Sequence, residues 1–140
     1  MLNKKTILLT LAGGCLTAAL PASGHHSTFN YYDPEVIVEY EDVTAVSFEV
    51  MNPHARLVFL VTDDDGNEVE WTATTQSANV LRRMGISADS IRPGDKLTVT
   101  ASPHREGLNL VLMTEVAWEN GDYAVLSIGA SGGLFRADAE

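Results

Sequence analysis

A chain of 140 residues has room for one domain with a workable core and too little for two comfortable ones. Its 19 acidic against 9 basic residues give a net charge of −10, and a surface of that sign repels phosphate backbones, which argues against nucleic acid as a partner. Cys15 is the only cysteine, so apolar burial rather than a disulfide has to hold the fold together.

Lys4-Lys5, the apolar run from Thr6 to Ala12 and the small residues down to Ala22-Ser23-Gly24 follow the three-part pattern of a secretory signal peptide. The run is too short to span a bilayer, and Gly13-Gly14 and Pro21 interrupt it as a helix of the fold. The expectation is a leader over 1–24 and a periplasmic or secreted mature chain with no transmembrane span. Losing Lys4 and Lys5 leaves 7 basic against 19 acidic residues, a net charge of −12. Ala12-Gly13-Gly14-Cys15 resembles a lipoprotein box without its large apolar residue, so lipidation through Cys15 is a lesser alternative. Cleavage after Gly24 makes His25 the mature terminus, whereas cleavage after Ala22 places it third.

Residues 25–35 form a polar and aromatic arm in which Phe29, Tyr31 and Tyr32 are expected to strap against the domain. From Val36 to Val50 the even positions are largely apolar and the odd ones carry Glu39, Glu41, Ser47 and Glu49, which predicts one long half-buried strand. Asp42 breaks its apolar face, where a bulge would bend it. Arg56 to Thr62 is a second strand with Leu57, Phe59 and Val61 inward. The turn Asp63-Asp64-Asp65-Gly66-Asn67 leads into a third, Glu68 to Thr74, with Val69, Trp71 and Ala73 inward. Ser77 to Gly85 has a capping serine, apolar residues at Val80, Leu81 and Met84 and a glycine stop, so it predicts a short helix, and Ser87 to Ile91 adds a further turn. A fourth strand follows the turn Arg92-Pro93-Gly94-Asp95, with Leu97, Val99 and Ala101 inward. A fifth runs from Leu108 to Trp118, with Leu108, Leu110, Leu112, Val116 and Trp118 on one side.

The order β-β-β-α-β-β, with a bent first strand and one short helix, predicts an all-β domain over 36–118 of the OB-fold type, a five-stranded barrel, with a plain antiparallel sandwich as the alternative that the helix position argues against. Residues 119–140 read as a flexible tail, with Tyr123 to Ile128 able to pair as an edge strand.

His25, His26, His54 and His104 all lie outside the strand patterns. His54 sits between strands one and two and His104 between strands four and five, the two loops that flank the binding face of an OB-fold. Imidazoles converging on one rim suit zinc, copper or nickel. A terminal histidine would add its own amine and ring nitrogen, and Met51 a soft thioether. The alternative is that the histidines are solvated or fix loops, with His54 simply holding a corner shaped by Asn52-Pro53. The Asp63 to Asn67 turn lacks the spacing and the distal glutamate of an EF-hand. G-x-S-x-G and H-E-x-x-H are both absent, which argues against an enzyme.

His25-His26-Ser27, Asn52-Pro53-His54-Ala55, Trp71, Leu81-Arg82-Arg83-Met84-Gly85 and Pro93-Gly94-Asp95 together resemble a family of exported bacterial proteins that is a domain of unknown function. The resemblance covers the chain to about Trp118 and implies an exported small β domain in which the terminal histidines and His54 form a set. It leaves out Met51 and brings no activity. Three functions follow as expectations. The first is a binding module holding copper or zinc through His25, His26, His54 and His104. The second is a metal-free accessory subunit contacting a periplasmic protein through the barrel face and the Phe29–Tyr32 arm. The third is a small-molecule binder.

Overall fold

A computed structural model describes residues 30–126 and 132–137. Five strands, β1 (Val38–Glu49), β2 (Arg56–Thr62), β3 (Glu68–Thr74), β4 (Lys96–Pro103) and β5 (Leu110–Trp118), pair antiparallel in the order β3-β2-β1-β4-β5. A parallel pairing of β3 with β5, from Thr72↔Leu110 to Thr74↔Leu112, closes them into a barrel. The helix α1 (Ala78–Arg83) and a single 3₁₀ turn (Ala88–Ser90) lie between β3 and β4. This is the OB-like architecture expected from the element order.

The inward faces of β2, β3 and β4 follow the period-two reading: Leu57, Phe59, Ala73, Leu97, Val99 and Ala101 are all buried. Strand β1 does not keep one phase. Glu41 and Asp42 oppose a single residue of β4, with Asp42 in the left-handed region at φ +51°, and Val46 is an extra residue between the pairs Ala45↔Phe59 and Ser47↔Val58. Each bulge exchanges the two faces. Tyr40 therefore packs inward, then the odd residues Val43 and Ala45 are buried, then Phe48 and Val50 return to the core, while Val46 is 38% exposed. The even-face expectation fails between the bulges, although the bend at Asp42 is where the sequence places it.

The same correction applies to β5. Thr114 is extra between the pairs Ala101↔Met113 and Thr100↔Glu115. Val111 and Met113 are therefore the buried residues before it and Val116 the one after it, whereas Leu108 is exposed and precedes the strand.

Helix α1 starts at Ser77, whose hydroxyl accepts from the Val80 N–H, and ends in a Schellman motif. There Ile86 N–H bonds to Leu81 O at 2.9 Å and Gly85 N–H to Arg82 O at 3.1 Å, with Gly85 at φ +81°. Leu81 and Ile86 are both buried, supplying the apolar contact that accompanies this cap. The β2–β3 turn satisfies its own acid: Asp63 Oδ1 accepts from the Asn67 N–H at 2.8 Å and the Asp65 N–H at 3.0 Å. These bonds, led by that of Asn67, hold the Asp63 pKa below the usual carboxylate range.

Residues 119–140, read as a flexible tail, contribute two further strands, β6 (Tyr123–Val125) and β7 (Gly133–Phe135). β6 takes the same edge of β5 that β3 uses, but beyond the Thr114 bulge, at Glu115 to Ala117. Asp122, 6% exposed, fastens this addition. It accepts from the Ala137 N–H at 3.0 Å, the Arg136 guanidinium at 2.6 Å and the Asn120 amide at 3.2 Å. The Ala137 N–H first, then Arg136, pull its pKa below the ordinary aspartate value of about 3.9. A folded-state pKa below the unfolded one means the stabilisation is fully present above that ordinary value and is lost as pH falls through the lower folded value. Hydrogen-exchange protection of the β6 and β7 amides, taken relative to the intrinsic rate at each pH, should therefore fall selectively in acid below that range. Asp122→Asn should show the lowered protection already at pH 6.

Candidate functional site

The corner between β1 and β2 is fixed from three sides. Ala55 N–H bonds to Gln76 O, Thr75 N–H to Ala55 O and Ala78 N–H to Met51 O, all at 2.9–3.0 Å, so the approach to α1 grips the corner along its length. The Asn52–Pro53 peptide is cis. An ion pair between Arg56 and Glu49, 2.5 Å, bridges the two strand ends beneath it.

His54 is exposed on this corner, with its Nδ1 3.1 Å from the carbonyl oxygen of Thr75. A carbonyl only accepts, so Nδ1 carries the proton and the neutral ring keeps its Nε2 lone pair free. That nitrogen has no partner among the described residues. Donation of one ring N–H to a backbone carbonyl is the arrangement that orients metal-binding histidines. Thr75 is in turn locked: it is 2% exposed and its hydroxyl donates to Met113 O at 3.1 Å. Thr75→Val would leave that buried carbonyl unpaired, so a loss of about 1–3 kcal/mol in denaturant unfolding is expected. Sequence reasoning missed Thr75, because nothing in its own neighbourhood signals a partner 21 residues back.

His104 is held in the opposite tautomer. Its Nδ1 accepts from the Glu106 N–H at 3.2 Å, so in the neutral ring the proton sits on Nε2 and no lone pair is left over. The ring stands edge-on to Tyr32, centroids 5.5 Å apart, and 6.3 Å from Tyr31. Backbone bonds from Arg105 N–H to Tyr31 O (2.8 Å) and Asp33 N–H to Pro103 O (3.0 Å), with an Arg105–Asp33 ion pair at 3.3 Å, seat the arm on this loop. The strapping expected of Tyr31 and Tyr32 is thus present, and His104 is part of what they strap to. Phe29 lies outside the described residues.

The strand ladder sets the spacing between the two histidines. Arg56, Thr74, Leu112 and Ser102 lie side by side on four adjacent strands. His54 lies two residues beyond that row in one direction and His104 two residues beyond it in the other. Four residues along the strands is about 13 Å, and three strand spacings around the barrel add about 14 Å. The fold does not bring these two imidazoles together. Among the described residues no group of three or more His, Cys, Asp or Glu is placed to hold a metal ion. His25 and His26 lie outside the described residues. His25 is seven Cα–Cα steps along the chain from the seated Tyr32, a covalent reach of up to about 25 Å. Met51 is exposed on the corner, its carbonyl tied to α1.

The model of the family described as "Family of unknown function (DUF6152)" matches residues 14–113, and the chain belongs to that family. No match was found among curated proteins or among solved structures. No helix among the described residues is long and apolar enough to cross a membrane.

Proposed function

We propose that this member of the family is an exported binding module rather than an enzyme, taking copper or zinc through His54 Nε2 together with the processed terminus, His25 and His26. The single observation that carries this reading is the Nδ1–H bond of His54 to Thr75 O, which presents a free Nε2 from a rigid corner. An imidazole already oriented gives up little rotamer freedom on ligation. The terminal amine and imidazoles supply further nitrogen donors, a set suited to copper or zinc. The bound ion would draw charge density from this rim; His54 orients one donor, Thr75 fixes its tautomer, and His104 holds the arm rather than the ion. The test is metal titration of correctly processed protein beside His54→Ala. Binding weaker than micromolar, or equal in the two proteins, would overturn the reading.

A second reading, a metal-free accessory subunit, draws on Tyr31 and Leu108. Both are exposed, at 55% and 48%, on the seated arm and the loop it seats on. A defined periplasmic partner that co-purifies regardless of chelator would favour it.

A further inference from the structure

We infer that the groove between the 3₁₀ turn and the β5–β7 end binds a short peptide with free termini. The groove encloses about 700 Å³, and among the described residues no histidine lines it, so this site is independent of His54. That volume falls within the range of small-ligand sites. Trp118 and Leu134 give it an apolar surface, and the indole N–H donates to Ser90 O at 3.1 Å, which fixes the ring against the 3₁₀ turn.

Its charged groups fall into two sets. Some are already used: Asp122 with Arg136, Lys96 with Asp42, and Asp95 accepting from the Arg92 N–H at 2.8 Å. Three others line the groove, are exposed and have no side-chain partner among the described residues: the Arg92 guanidinium and the carboxylates of Asp89 and Glu119. An uncommitted fork donor, two uncommitted acceptors and an indole in one groove match a ligand with a carboxylate at one end and ammonium groups elsewhere. Arg92 receives the carboxylate in a two-point bond. Asp89 and Glu119 receive the ammonium charge, and the indole face favours a cation laid across it. A purely anionic ligand is disfavoured by the carboxylates, and a purely apolar one leaves all three ions unsatisfied.

The experiment uses ¹⁵N-labelled full chain as exported and alanyl-lysyl-alanine with free ends as probe. Each tryptophan has its own indole N–H resonance, so the Trp118 signal reports the groove and the Trp71 signal reports the barrel. Saturable movement of the Trp118 signal alone is expected. Affinity should fall about tenfold in Arg92→Gln, in Glu119→Gln, and for the same peptide acetylated and amidated at its ends. An unmoved Trp118 signal through the millimolar range overturns the inference. So does an affinity indifferent to both substitutions and to capping, with Trp71 unchanged to show that the variants are folded.

Discussion

Phe59→Ala is expected to lower unfolding stability by about 3–5 kcal/mol, a large share of the roughly 5–15 kcal/mol that holds such a domain folded. Phe59 is fully buried at the centre of the barrel wall, opposite Ala45 on β1 and Trp71 on β3. Its ring meets Tyr40 at 5.8 Å in an edge-on contact, and Tyr40 meets Trp71 at 5.0 Å. Truncation removes the apolar burial and leaves a cavity bordered by rings that cannot collapse into it. Val46→Ala is the control, since the bulge turns that side chain outward, and a change within about 0.5 kcal/mol is expected. Denaturant midpoints measure both. If Val46→Ala costs as much as Phe59→Ala, the unbroken even-face register of β1 is right and the bulged one is wrong.

His54→Ala is expected to weaken copper or zinc binding by about a hundredfold or more, because removing only the partner that orients a ligand already costs about 10–100-fold. His104→Phe is expected to leave affinity unchanged, since His104 Nδ1 is occupied by the Glu106 N–H and a phenyl ring preserves the edge contact with Tyr32. The contrast separates a ligand from a loop residue. Isothermal titration of the two variants beside the parent measures it, and equal losses in both would place both histidines on the metal.

Period-two reasoning succeeded on β2, β3 and β4 because those strands carry no extra residue on their own side of the ladder to shift the face. It failed in parts of β1 and β5, where a single added residue exchanges inside for outside. Asp42 announced its bulge, since a short polar residue tolerates the left-handed backbone there. Val46 and Thr114 announced nothing, being β-branched residues at home in any strand. In the C-terminal hairpin, β6 begins at Tyr123, where an edge strand was expected, but its partner β7 and the lock that holds the pair were hidden for a different reason. Its composition is glycine- and alanine-rich, and what holds it, Asp122 on the Ala137 N–H, is a contact across 15 residues that no local pattern encodes. At the candidate site, the corner and its histidine were legible from Asn52-Pro53-His54. The tautomers were not. They depend on whether the nearest backbone group is the carbonyl of Thr75 or the amide of Glu106.

The most direct test is a long-range ¹H–¹⁵N spectrum of the imidazole rings, recorded on correctly processed protein as zinc is added. The His54 Nε2 resonance should shift on stoichiometric addition while Nδ1 stays protonated and the His104 nitrogens hold their positions. A spectrum in which His54 Nε2 stays put, or in which His104 responds instead, would contradict a metal site built on this corner.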